Sequence, residues 1–70
     1  MVIKAQDTVS NNIKKYRHAR KLTQEQLSEI SEISCDYLSE IERGKRYPSM
    51  KRLDMIAEAL NVDSYKLLMP

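Results

Sequence analysis

Residues 23–44 read Thr-Gln-Glu-Gln-Leu-Ser-Glu-Ile-Ser-Glu-Ile-Ser-Cys-Asp-Tyr-Leu-Ser-Glu-Ile-Glu-Arg-Gly, and the way this stretch divides decides the fold. Thr23 followed by Gln26 is a capping box, in which the hydroxyl accepts from an N3 amide while the glutamine reaches back to the cap amide. A helix therefore starts there and runs to about Ser31, barely two turns. Ser34 caps a second helix over residues 35–43, and Gly44 stands where a helix end needs a residue tolerant of the left-handed conformation. The two short helices meet across Glu32 and Ile33. Two helices joined by such a turn, with an apolar residue inside it, form a unit whose second helix can lie in a DNA major groove.

Outward from this pair, the pattern predicts three more helices. Val9, Ile13 and Tyr16 at i, i+4, i+7 mark an amphipathic first helix over about residues 8–21, with residues 1–7 as a loose arm. After a loop at residues 45–48, Ser49 caps a fourth helix with Met50, Leu53, Ile56, Ala57 and Leu60 on one face, and Asn61 is a left-handed stop. Asp63 caps a short fifth helix through Leu68. There is no repeat, low-complexity stretch or linker, so residues 8–70 form one domain. Its expected core is Val9, Ile13, Tyr16, Leu22, Leu27, Ile33, Leu38, Ile41, Leu53, Ile56, Ala57, Leu60, Val62 and Leu67.

A chain of 70 residues, 41% hydrophobic and 31% charged, suits one small domain and is too short for a catalytic scaffold of ordinary size. No enzyme is expected. Cys35 is the single cysteine, so stability must come from helix packing or a dimer rather than an internal disulfide. One Gly, two Pro and no Phe or Trp leave few turn signals for a β fold. The longest apolar run, Leu67 to Met69, is far short of a membrane span, and no apolar leader opens the chain, so a cytoplasmic protein without membrane contact is expected.

The net charge of +2 matters less than its order along the chain. Lys14, Lys15, Arg17, Arg20 and Lys21 form one basic block, and Arg43, Lys45, Arg46, Lys51 and Arg52 another. Between them lie only acids: Glu25, Glu29, Glu32, Asp36, Glu40 and Glu42. Such blocks can be plain solvated faces. They point to a polyanion only if both reach one side of the fold.

The runs Asn-Ile-Lys-Lys-Tyr-Arg (12–17), Leu-Thr-Gln-Glu-Gln-Leu (22–27), Ile-Ser-Cys-Asp-Tyr-Leu-Ser-Glu-Ile-Glu-Arg-Gly-Lys-Arg-Tyr-Pro-Ser (33–49) and Ile-Ala-Glu-Ala-Leu-Asn-Val (56–62) together resemble the lambda-repressor-like (Cro and phage-repressor, XRE-type) DNA-binding family. The likeness covers about four fifths of the chain, residues 12–68, without a gap; its most specific part is Ile-Glu-Arg-Gly-Lys-Arg-x-Pro-Ser at 41–49. The resemblance implies an all-α, compact five-helix domain with a helix-turn-helix at helices 2 and 3. It implies base-edge roles for Ser34, Cys35, Asp36, Ser39 and Glu40, and phosphate roles for Gln24, Arg43, Lys45 and Arg46; Lys51 is expected to join the phosphate contacts. It also implies an ion pair of Arg17 with Glu42, which follow core Tyr16 and core Ile41. Departures are Ser28, Ser31 and Glu32 at positions usually held by small residues, with Glu32 in place of the turn glycine, Tyr16 for a leucine and Asn61 for a glycine. A glutamate adopts positive φ reluctantly, so the turn is expected to be strained or reshaped.

Helical geometry reaches the same reading face independently. At 100° per residue, Tyr37, Leu38 and Ile41 cluster on one side of the third helix and leave Cys35, Asp36, Ser39, Glu40 and Arg43 on the other. Each feature also has a plainer reading. Cys35 at a helix N-terminus could favour a thiolate and redox sensing, but Asp36 opposes it. Glu40 and Arg43 at i, i+3 could be only a surface ion pair. Tyr47 could stack on a sugar or merely fill its loop. His18 has no companion ligands for a metal, and no catalytic triad can be assembled. No cofactor or small-molecule ligand is evident.

These observations predict a sequence-specific double-stranded DNA-binding transcriptional regulator, acting as a repressor and homodimer on a palindromic operator, because one reading helix covers few base pairs. A restriction-modification controller protein and an antitoxin-type interaction module are the alternatives. Met55 and Ala59, opposite the core face of the fourth helix, with Tyr65, Leu68 and Met69, form the expected dimer seam.

Overall fold

The computed structural model describes residues 4–70 as five helices: α1 (Ala5–Ala19), α2 (Gln24–Ser31), α3 (Cys35–Glu42), α4 (Met50–Ala59) and α5 (Ser64–Leu68). The domain is all-α, as the sequence predicts. α1 packs on α3 and α5, while α2 packs on α3 and α4, so α3 is gripped from both sides. No helix among the described residues is long and apolar enough to cross a membrane.

The punctuation residues act where expected. Thr23 Oγ1 accepts from the Gln26 amide at 3.0 Å and Gln26 Oε1 accepts from the Thr23 amide at 2.8 Å, completing the capping box. Ser34 and Ser49 each accept from the amide three residues on, at 3.2 Å. Gly44 and Asn61 are left-handed, with φ of 73° and 57°. A Cβ on Gly44 would also come within 3.2 Å of Asp7 Oδ1. Asp63 departs from expectation: it precedes α5 in extended conformation but makes no side-chain cap bond. Instead Ser64 Oγ donates to Asp54 at 2.6 Å, tying α5 to α4.

The start of α1 is a correction. The helix begins at Ala5, so residues 5–7 are helical rather than part of a loose arm ending at residue 7; residues 1–3, the rest of that expected arm, lie outside the described residues. Apolar periodicity begins only at Val9, but polar side chains hold the earlier turn. The Gln6 amide donates to the Gly44 carbonyl, and Ser10 Oγ donates to the Glu42 carbonyl at 2.5 Å.

Eleven apolar residues make the buried core: Val9, Ile13, Leu27, Ile33, Leu38, Ile41, Leu53, Ile56, Ala57, Leu60 and Leu67. All were predicted. Tyr16, Leu22 and Val62 are half-buried against that core rather than inside it. Met50, expected on the core face, is 61% exposed. As the first residue of α4, its side chain projects toward the helix N-terminus and past the end of the core. Pro48 in the preceding loop is buried.

Candidate nucleic-acid interface

The turn between α2 and α3 sets the attitude of α3. Glu32 sits at φ 61°, ψ 28°, the left-handed conformation its side chain disfavours. The turn therefore keeps the left-handed conformation and carries its strain; nearby, Ser28 Oγ donates to the Ile33 carbonyl at 2.5 Å, and Ser31, buried, donates to the Leu27 carbonyl at 2.7 Å. These serines occupy the departures noted in the sequence, and the Ser28 hydroxyl ties α2 to the Ile33 carbonyl in the turn.

α3 buries Leu38, Ile41 and Glu42. Of the predicted reading residues, Ser34 and Asp36 are exposed, while Cys35, Ser39 and Glu40 are half-buried. All five lie at the N-cap or off the core face of α3. Two of them are already engaged. Ser34 Oγ holds the Tyr37 amide, and the Glu40 carboxylate lies 3.5 Å from Arg46 Nε. The sequence offered Arg43 as the ion partner of Glu40. The structure supplies Arg46 instead, because Arg43 Nε turns back to the Ser39 carbonyl at 3.4 Å.

The predicted phosphate contacts surround this face. Arg43, Lys45, Arg46 and Lys51 are exposed on the end of α3, the following loop and the first turn of α4. Gln24 is half-buried, and its Nε2 donates to Glu42 Oε1 at 3.3 Å. The same carboxylate receives Arg17, so the predicted ion pair is present and carries Gln24 with it.

The fate of the two basic blocks answers the question their order raised. Lys14 shares a surface groove with Asn11, Gln24 and Arg43, and Lys21 shares another with Gln24 and Cys35. These two lysines bring the first block to the edges of the α2–α3 unit. Lys15 and Arg20 do not join them; both lie over the Tyr16 ring, 5.7 and 5.8 Å from its centroid. Sequence reasoning did not place Asn11 and Lys14 beside the candidate contact residues Gln24 and Arg43. Their signal was helical spacing, since 11 and 14 share one side of α1 with 10 and 17.

The expected seam divides. Tyr65, Leu68 and Met69 are exposed, at 57%, 40% and 53%. The main-chain oxygens of Leu67 and Met69 both accept from Asn12 Nδ2, at 2.9 and 2.6 Å, which fixes this end against α1. Met55 and Ala59 are half-buried and packed against the core rather than facing away from it. The cause is α2, whose end lies along that flank, so that Ile30, 55% exposed, borders the same groove as Met55 and Ala59.

A helix-turn-helix family model matches residues 13–67 of this chain. The immunity repressor protein of Bacillus phage phi105 is 46% identical over 55 residues, which are 79% of this chain and 38% of the repressor. This chain thus spans little more than a third of that relative. The control protein C.SmaI of Serratia marcescens is 37% identical over 62 residues, 89% of this chain and 74% of C.SmaI. Among solved structures, a hypothetical transcription factor from Neisseria superposes with a TM-score of 0.92 at 25% identity, covering 96% of this chain and 77% of the other. The restriction-modification controller protein C.AhdI from Aeromonas hydrophila superposes at 0.85 with 27% identity, covering 89% and 94%.

Proposed function

The chain belongs to the helix-turn-helix family, and on that premise we propose that it is a sequence-specific regulator of transcription that binds double-stranded DNA as a homodimer. The observation that carries this reading is the outer face of α3, bordered by cations from α1, the α3–α4 loop and α4. α3 enters the major groove, where Ser34, Cys35, Asp36 and Ser39 meet base edges. Arg43, Lys45, Arg46 and Lys51, joined by Lys14 and Gln24, take the backbone phosphates. Binding needs neither cofactor nor metal in this reading, and the protein works in the cytoplasm where its DNA is.

One α3 reads too few base pairs for useful affinity, so two copies bind half-sites about one helical turn, or 34 Å, apart on a palindromic operator. The copies meet through Tyr65, Leu68 and Met69, with Met55 and Ala59 contributing what α2 leaves open.

Whether the regulator represses or activates is a second choice. The likeness to C.SmaI and C.AhdI runs over most of both chains, which is the observation in favour of a restriction-modification controller. The test has two stages. Random duplex at low salt must bind, with affinity falling steeply as salt rises; no binding there would point to an antitoxin-type interaction module instead. Selection from a randomised duplex pool should then return a two-fold symmetric site, and an asymmetric or absent consensus would overturn the operator reading.

A further inference from the structure

Periodicity puts Tyr37 on the core side of α3, yet it is only half-buried and two guanidinium groups lie against it. The Arg46 guanidinium carbon is 5.0 Å from the ring centroid and that of Arg52 is 5.1 Å away. The three residues come from three elements: Tyr37 from α3, Arg46 from the α3–α4 loop and Arg52 from the first turn of α4. Glu40, one turn along α3 from Tyr37, adds its carboxylate to Arg46 at 3.5 Å. Both arginines are exposed.

A free arginine on a surface samples many rotamers and gives up that freedom when a phosphate fixes it. A ring that already holds the planar group reduces the loss. We propose that Tyr37 is a positioning residue for DNA binding, its ring serving as a platform that presents Arg46 and Arg52 together as seats for backbone phosphates beside the reading helix. This rests on the DNA-binding reading above and adds Arg52 to the contact set. It requires the aromatic ring rather than the hydroxyl, and it favours arginine over lysine, because the planar guanidinium also stacks on the ring, whereas an ammonium keeps only the electrostatic part of the contact.

A double-mutant cycle on random duplex at two salt concentrations tests it. Arg52→Lys keeps the charge, and is expected to weaken binding about 2- to 5-fold with little change in salt slope, the range set by an exposed cation–π contact. In a Tyr37→Leu background the same change should have no effect, and in Tyr37→Phe it should have its full effect again. An Arg52→Lys factor that is the same with and without the ring overturns the platform, even though DNA binding itself stands. Wild type that binds no duplex at low salt overturns both. Because Tyr37 also touches the core, Tyr37→Leu could fail to fold. The proton shifts of the Arg46 and Arg52 side chains in wild type then decide: upfield displacement by the ring current is expected, and its absence overturns the proposal.

Discussion

Arg17 and Glu42 meet side-on, with Nε 2.9 Å from Oε2 and Nη2 2.9 Å from Oε1, and the glutamate is 3% exposed. Arg17 Nη1 also donates to the Leu22 carbonyl at 2.8 Å, so this one guanidinium joins α1, the α1–α2 turn and the end of α3. A buried two-pronged pair is weak evidence of net stabilisation, but breaking it is expensive because the remaining charge is stranded. Glu42→Gln is expected to destabilise the fold by about 3 kcal/mol, which for a domain of this size lowers Tm by more than about 10 °C. Thermal unfolding followed by circular dichroism checks it; a change within a degree would make the pair ornamental.

The parts of this fold that were legible in the sequence are those written by local chemistry. Thr23 with Gln26, Ser34, Ser49, Gly44 and Asn61 each mark a boundary through a bond or backbone angle that a few adjacent residues determine. The core was legible because its apolar spacing matches the helical period. What escaped depends on contacts distant in sequence. Gln6, in the turn that extends α1, reaches residue 44, Ser10 reaches residue 42, and Arg46 leaves its loop to find Glu40 and Tyr37. Half-burial of Met55 and Ala59 likewise follows from where α2 lies. The reading face could be drawn from angles alone, but which of its side chains are already occupied could not.

Glu32 carries the one strain the sequence foretold. A non-glycine residue in the left-handed region costs about 1 kcal/mol, and the exposed glutamate makes no hydrogen bond that would repay it among those the structure gives this turn. Glu32→Gly is expected to stabilise the domain by up to about 1 kcal/mol, less what the more flexible unfolded chain takes back. Urea unfolding with an unchanged m-value measures it. A lower midpoint would mean that the turn does not need the freedom of glycine.

Self-association separates the two halves of the expected seam. Tyr65→Asp or Leu68→Asp places a charge on surface that is open in the monomer, so each should abolish dimers without lowering monomer stability much. Met55→Asp should instead destabilise the monomer, since Met55 packs on the core. Sedimentation equilibrium together with thermal unfolding distinguishes these outcomes. A wild type that remains monomeric even on DNA counts against any seam, and unchanged mass for Tyr65→Asp moves it elsewhere.

Asp36 and Glu40 stand one turn apart on the outer side of α3, the side proposed to enter the groove, and both repel a duplex carrying one charge per roughly 1.7 Å of axis. Affinity cannot explain them. A carboxylate can nevertheless select, accepting from the cytosine amino group and penalising the acceptor edges of guanine and thymine, a discrimination of about 1 to 3 kcal/mol. The structure gives the two residues different means of acting. Asp36 is exposed, whereas Glu40 is drawn to Arg46 at 3.5 Å and offsets a cation that would otherwise face phosphate. Asp36→Asn should therefore tighten binding to random duplex while narrowing the gap between the best site and random DNA. Glu40→Gln should tighten both by the same factor, because it releases Arg46 and removes no base contact. Lys45→Ala provides the contrast, weakening both alike and flattening the salt slope by about one. Affinities for a selected site and a random duplex at two salt concentrations decide among them. If Glu40→Gln narrows the gap as Asp36→Asn does, Glu40 leaves Arg46 on binding and reads a base itself.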